Sequence, residues 1–136
     1  MSTTNNSVIF QGLLVAIANL LPNAPQVASF DFQNPTLQLP NGFYYNPSFQ
    51  LISGAATFVP FPPNMTTAFL FAALNLSTAN PMSVGFSVSG ASAGSFTLGP
   101  GGFCVFGDPS FQGLGFSSFS LTMSLGNGQA SIFVGG

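Results

Sequence analysis

The sequence predicts an all-β protein: an antiparallel, jelly-roll-like β-sandwich with a short N-terminal helix or arm. Runs in which apolar and small polar residues alternate recur along the chain, which is typical of half-buried strands. Clusters of Gly, Pro and Asn separate these runs about every 8–12 residues, as in a sandwich or closed barrel. A length of 136 residues, 46% of them hydrophobic, is enough for a buried core. We expect the arm over residues 1–22 and the sandwich over residues 23–136.

The first patterned segment is Val8–Leu21, where apolar residues recur at spacings of three and four. This spacing places them on one stripe of a helix. Ser7 can cap the start of such a helix and Pro22 ends it, so we favour a short helix here. The stripe consists of Ile9, Leu13, Ile17 and Leu20.

Other interpretations of this segment remain open. The β-branched residues Val8, Ile9 and Val15 favour a strand instead. A secretory signal peptide would need a positively charged start, which residues 1–7 do not provide. The segment is also shorter than the roughly 20 apolar residues of a membrane-spanning helix, so we expect no membrane span.

The next strands are marked by alternating or uniformly apolar runs. Thr66–Leu76 is apolar almost throughout, which predicts a central strand covered on both faces. Gly90–Gly94 contains only small residues and is expected to be a loop. Further strands are expected within Val27–Gln33, Leu37–Leu39, Phe43–Phe61 (two strands) and Met82–Ser89.

The last part of the chain, Ser95–Gly136, has the clearest strand pattern, with turn residues between its apolar runs. Its final two runs are Ser117–Leu125 and Gln129–Val134. Only Gly126-Asn127-Gly128 lies between them, so we expect the two runs to pair as a hairpin.

Charged residues are almost absent, and this excludes most chemistry. The chain has no Lys, Arg or His and only two acidic residues, Asp31 and Asp108. General acid–base catalysis, nucleophilic triads and phosphate or nucleic-acid binding depend on the missing residue types. We interpret Asp108 as a turn residue and Asp31 as an outward-facing strand residue. We therefore expect no enzyme, no catalytic residues, no metal or cofactor site and no nucleic-acid partner.

Two smaller features have ordinary interpretations. Cys104 lies in the apolar run Phe103–Phe106 and is expected to be a buried small hydrophobe. Three sequons begin at Asn5, Asn64 and Asn75, and a chain so rich in Asn, Ser and Thr produces such triplets by chance.

Phenylalanine is unusually common, with 17 residues. Part of this set fills the core, and we expect another part to face neighbouring subunits, because homo-oligomer interfaces are apolar and exclude charge. A protein with so little charge also lacks the repulsion that keeps monomers apart. The composition therefore predicts an obligate homo-oligomer, for example a trimer.

Three stretches within residues 82–136 share a strand-like, glycine-punctuated pattern: Phe96–Phe103, Phe116–Leu125 and Gln129–Gly136. Together they resemble the ending of small structural proteins of tailed bacteriophage virions. The resemblance implies a β-sandwich virion component, such as a capsid decoration protein or a fibre subunit. It carries no catalytic residues.

We expect from this a capsid decoration or cement subunit that assembles symmetrically with itself and with other virion proteins, such as a major capsid protein. The alternative is a subunit of an extracellular surface filament or pilus that polymerises by β-strand addition. A sugar- or ligand-binding sandwich is disfavoured because the chain has no Trp and only two Tyr. We expect the stripe formed by Ile9, Leu13, Ile17 and Leu20 to contact a neighbouring subunit or the underlying shell.

Overall fold

The computed structural model describes residues 39–107 and 115–136 in full, together with the backbone of strands at 6–9, 13–17, 26–31 and 36–39. Twelve strands occur in these residues, and no helix does. In chain order they are β1 Asn6–Ile9, β2 Leu13–Ile17, β3 Gln26–Asp31, β4 Thr36–Leu39, β5 Phe43–Leu51, β6 Thr57–Phe58, β7 Leu70–Asn75, β8 Met82–Val88, β9 Ala91–Leu98, β10 Phe103–Gly107, β11 Phe116–Met123 and β12 Gly128–Gly135.

Two compact units divide the chain, Met1–Gln38 and Leu39–Gly136. In the first unit β2 pairs antiparallel with β3, and β1 pairs with β4. The boundary that we expected after residue 22 lies outside the described residues. No helix in the described part of the chain is long and apolar enough to cross a membrane.

The helix favoured over Val8–Leu21 is wrong for the described part of that segment. Residues 6–9 and 13–17 are strands, as the alternative interpretation allowed. The physical reason is that β-branched side chains such as Val15 and Ile17 lose rotamer freedom in a helix and fit a pleated sheet better. The glycine at position 12 also weakens a helix at its centre.

The second unit is a sandwich of two four-stranded antiparallel sheets, which confirms the predicted fold class. The first sheet has the order β10-β7-β12-β5 and the second has the order β6-β11-β8-β9. Every connection from β5 to β12 passes from one sheet to the other, except the β8–β9 hairpin. This eight-stranded arrangement is that of a jelly roll.

The predicted hairpin between the last two strands is wrong. β11 pairs with β6 and β8, whereas β12 pairs with β5 and β7, so the two strands lie in opposite sheets. Gly126-Asn127-Gly128 spans the two layers, and the Asn127 side chain accepts a 2.8 Å hydrogen bond from the Ser53 N–H. The apolar residues of both strands therefore face each other across the core.

The loop predicted over Gly90–Gly94 is also wrong, because β9 already begins at Ala91. The reversal takes only Ser89 and Gly90, which have φ values of 52° and 81°. A two-residue turn with both φ values positive has the twist that a hairpin requires. The small residues after it continue the strand.

Phenylalanine rings fill the space between the sheets. Phe71 of β7 and Phe119 of β11 are fully buried and stack with their ring centroids 3.8 Å apart. Next to this pair, four further rings lie 5.6–6.4 Å from one another and close the side of the sandwich where β9 and β10 lie. These four are Phe86, Phe96, Phe106 and Phe116.

Candidate interaction surface

The two outer faces of the sandwich differ in their chemistry. The outer face of the first sheet is mainly apolar and aromatic, and the outer face of the second consists of hydroxyl and glycine residues with Phe58 as its large apolar side chain. None of the residues in the described ranges 39–107 and 115–136 carries a charged side chain. Recognition on either face therefore depends on shape, apolar contact and neutral hydrogen bonds.

An aromatic groove crosses the outer face of the first sheet. Strand pairing places Phe133 of β12 between Tyr45 of β5 and Ala72 of β7, and Val105 of β10 next to Ala72. A second row runs beside it from β12 through β7 to β10. That row consists of Ser131, Leu74 and Phe103.

Small side chains form the floor of the groove and large ones form its walls. Ala72 and Ser131 lie in the middle, with Tyr45 and Phe133 on one side and Phe103 on the other. The resulting depression has a volume of about 280 Å³. Tyr45 is 58% exposed and Phe103 is 69% exposed, which is unusual for such large apolar groups.

One wall is rigid because of aromatic packing. Phe43 and Phe133 stack with centroids 5.5 Å apart and ring planes 14° apart. Such offset pairs hold two large rings in fixed positions. A partner would meet a preformed wall and would lose little side-chain entropy there.

The hydroxyl face covers the outside of the second sheet. Residues on β8, β9 and β11 that alternate with buried core residues are Ser or Thr at almost every position, with Gly85 between them. The hydroxyl oxygens of Ser83 and Thr97 lie 3.5 Å apart on adjacent strands. The face consists of Ser83, Gly85, Ser87, Ser92, Ser95, Thr97, Ser118, Ser120 and Thr122, with Phe58 of β6 beside Ser120.

Asn75 is the buried polar centre of one end of the sandwich. Its side-chain nitrogen donates to the carbonyl oxygens of Asn80, Leu98 and Gly99 at 2.9, 3.2 and 3.1 Å. Its side-chain oxygen accepts from the Ser77 N–H at 3.0 Å. One fully buried side chain thus joins the loop after β7 to the end of β9.

Cys104 is half-buried and packs against the core. Burial raises the pKa of its thiol above the ordinary value of 9.0, and a hydrogen bond with the Ala73 backbone partly opposes this rise. The thiol has no neighbouring base in the described residues, since the chain has no histidine. It is therefore unsuited to act as a nucleophile at neutral pH.

This pKa has a consequence for stability. Because the folded thiol holds its proton to higher pH than the unfolded one, stability should fall as pH rises above the ordinary value of 9.0. Between about pH 5 and pH 8 the free energy of unfolding should stay nearly constant. Histidine is the side chain that ordinarily titrates in this range, and the chain has none. Urea denaturation at several pH values measures both effects. In Cys104→Ala the loss above pH 9 should be smaller than in the parent, and an equal loss would contradict this assignment.

The residues singled out from the sequence lie elsewhere. Ile9 is in β1, Leu13 and Ile17 are in β2, and Leu20 lies outside the described residues. Their side chains are not among those described, so their role as an interface stays a prediction. Asp31 ends β3, where its backbone pairs with that of Leu13, and Asp108 lies outside the described residues.

The groove itself was not predicted, because its residues come from four strands that are distant in sequence. A signal was nevertheless present. The run Thr66–Leu76 is apolar at both alternating positions, which predicted cover on both faces. β7 is indeed central, but Ala72 and Leu74 line an open groove on its outer side. Comparison with protein-family models, curated proteins and solved structures finds no match for this chain.

Proposed function

We propose that this protein is a structural subunit of a virion, a capsid decoration or cement protein that assembles symmetrically through the aromatic groove. Its partners are further copies of itself and other virion proteins such as a major capsid protein. The observation that carries the proposal is an uncharged aromatic face on a sandwich whose other face consists mainly of hydroxyl residues. Such a two-sided subunit can bury one face in an assembly and present the other to water.

The fold supports the same proposal as an analogy. Jelly rolls are common in viral capsids, although lectins and cupins also use them, so the topology alone does not assign a function. A lectin usually stacks sugars on aromatic rings, often of Trp, and this chain has none. Most of the groove lining is apolar, and its side-chain hydroxyls are those of Ser131 and Tyr45, so it suits an apolar partner better than a polyol.

The size of the groove indicates how much of the contact it supplies. Phe43, Tyr45 and Phe103 are between 47% and 69% exposed. With aromatic side chains burying 150–250 Å² each, these three add roughly 350 Å² per copy. A stable interface needs about 800 Å² per partner. The assembly therefore requires contacts in addition to the groove.

The second candidate function is a filament subunit that polymerises by strand addition. The observation that favours it is the lack of charge along the edges of the sandwich, because natural sheets usually protect their edges with charged residues. Electron microscopy of the purified protein distinguishes the two functions. Closed shells or capsid-bound subunits support the virion role, and continuous fibres of this protein alone support the filament.

Removing aromatic side chains from the groove should break the assembly. We expect Tyr45→Ser combined with Phe103→Ser to weaken association at least about a hundredfold, because interface aromatics often contribute 2 kcal/mol or more each. Sedimentation velocity over a range of protein concentrations measures the change.

The matched control for Phe103→Ser, which is also measured alone, is Phe58→Ser, which removes the same side chain from the hydroxyl face. Phe58 is 66% exposed and Phe103 is 69% exposed, so the losses of exposed apolar surface are similar. The control should associate like the parent. If it dissociates to the same extent, or if the parent is a stable monomer at high micromolar concentration, the groove is not the contact surface.

Association should depend little on salt. The described surface has no charged side chain that could form an ion pair across an interface. Raising the salt concentration from about 0.05 to 0.5 M should therefore leave the apparent dissociation constant within about threefold. Sedimentation in sodium chloride measures it, and a tenfold weakening would indicate charged contacts from outside the described residues.

A further inference from the structure

The four edges of the sandwich differ in how well they are protected. On β5, Pro47 lacks an N–H group and lies at an irregularity in the pairing with β12. β6 has only two residues, and β9 has an irregularity in its pairing with β8 around Ala93. Short edge strands, proline and bulges all discourage pairing with another chain.

β10 has none of these protective features. Its five residues, Phe103–Gly107, pair with β7 in unbroken register. They contain no proline and no charged residue. It is an edge strand of the first sheet in the described part of the chain, next to the wall of the aromatic groove.

The hydrogen-bond pattern shows which backbone groups β10 presents at this edge. The Asn75 N–H donates to the Gly102 carbonyl at 2.8 Å and the Asn75 carbonyl accepts from the Gly101 N–H at 3.1 Å, so both backbone groups of Asn75 point toward the β10 side of β7. Bonded and non-bonded pairs alternate along an antiparallel ladder. Cys104 and Phe106 therefore bond to β7, and the backbone groups of the alternate residues point away from the sheet. Those alternate residues are Phe103, Val105 and Gly107.

This set of three is self-complementary. If a second copy of β10 is placed antiparallel with Val105 opposite Val105, Phe103 falls opposite Gly107 and Gly107 opposite Phe103. All three outward residues of each copy then lie in bonded pairs. If the register is shifted by two residues in either direction, one outward residue of each copy no longer lies opposite an outward residue of the other copy.

The side chains fit the same register. The large Phe103 ring lies beside a glycine of the second copy, so the two rings do not compete for one position. Val105 meets Val105, a β-branched pair that suits adjacent strands. No charge is present in the strand that pairing would bury or bring close to its own copy.

We propose that two copies of this chain pair along β10 about a two-fold axis at Val105, which joins their first sheets into one eight-stranded sheet. This inference deepens the proposed function and takes from it the premise that copies of the chain associate. The two aromatic grooves then lie side by side on one continuous face. The edge contact supplies part of the area that the groove alone lacks.

Disulfide trapping in the full-length chain tests this register. In a Cys104→Ser background, Val105→Cys places one thiol in each strand directly opposite the other, with the Cα atoms about 5.5 Å apart and within disulfide reach. The matched control is Gly107→Cys in the same background, which leaves the groove residues Tyr45 and Phe103 in place. Its two thiols are separated along the pair by four residues, or roughly 13 Å.

Under mild oxidation, Val105→Cys should form covalent dimers about a hundredfold faster than Gly107→Cys, because pairing raises the effective thiol concentration to the millimolar range. A mixture of Phe103→Cys and Gly107→Cys chains should form the mixed dimer preferentially. Sedimentation of the reduced variants is measured in parallel. Assembled protein with equal, slow cross-linking of all variants would overturn the β10 pairing and leave the proposed function intact. Monomeric protein would overturn both.

Val105→Pro gives a second test that does not depend on cysteines. Since the Val105 N–H points away from β7, proline there removes no bond of the ladder, as is tolerated on edge strands. It does remove bonds from the proposed contact. We expect a folded protein by circular dichroism whose β10-dependent association is lost. Unchanged association of this variant would overturn the pairing.

Discussion

Phe119→Ala should lower the free energy of unfolding by about 3–5 kcal/mol, as is typical for a buried Phe truncated in a packed core. Phe119 is fully buried, stacks on Phe71 at 3.8 Å and lies 4.9 Å from Phe116, measured between ring centroids. Removing its ring leaves a cavity between the two sheets. Because domains are stable by only about 5–15 kcal/mol, the variant should unfold at a much lower urea concentration.

Urea denaturation followed by far-ultraviolet circular dichroism measures this loss. The control is Phe58→Ala, which removes the same ring from a position that is 66% exposed, so its effect should stay within about 0.5 kcal/mol. The two variants lose the same atoms and differ only in burial. Similar midpoints for both would mean that the stacked pair is not at the centre of the core.

Asn75→Ala should be as damaging, although it removes fewer atoms. The carbonyl oxygens of Asn80 and Leu98 and the N–H of Ser77 would lose their bond to this side chain, and the Gly99 carbonyl would keep only its bond from the Gly102 N–H. A buried polar group without a partner costs about 1–3 kcal/mol, so we expect a total loss of about 3–5 kcal/mol.

Asn75→Asp tests the hydrogen bonds of this side chain separately from its volume. Aspartate has nearly the same size, but at neutral pH it has no N–H groups to donate and brings a negative charge close to three carbonyl oxygens. It should be at least as unstable as the alanine variant in the same urea assay. The control Gln50→Ala removes an exposed amide from β5 and should have little effect. A fully stable aspartate variant would contradict the bonding pattern around Asn75.

Alternation of apolar residues predicted where strands lie far better than which strands pair. In β8, β11 and β12 the alternating apolar residues do lie in the core, as Val84, Phe119, Leu121 and Ile132 show. Pairing was missed at the end of the chain, because a Gly-Asn-Gly segment can close a hairpin or cross between layers. The contact of Asn127 with Ser53, which is distant in sequence, accompanies the crossing here.

The helix prediction was wrong and the groove was not predicted, for different physical reasons. The spacing of apolar residues in Val8–Leu21 fits a helical stripe, but several residues of the segment are β-branched, which favours strands. The strands found at 6–9 and 13–17 agree with the β-branched residues. The groove needs strand order, since Tyr45, Ala72, Phe103 and Phe133 become neighbours only through the sheet. The sequence indicated an excess of Phe but not the face that exposes it.

The buried position of Asn75 has a consequence for the production of this protein in a eukaryotic secretory pathway. Asn75-Leu76-Ser77 is a sequon, and the nitrogen that would receive a glycan is the one whose two N–H groups donate to three carbonyl oxygens in the folded sandwich. Asn64 begins another sequon in an exposed turn, where a glycan can project into solvent. A sugar on Asn75 would have to be attached before folding and would then prevent the end of β9 from closing. The side-chain nitrogen of Asn75 can therefore either carry a glycan or make the hydrogen bonds of the folded sandwich.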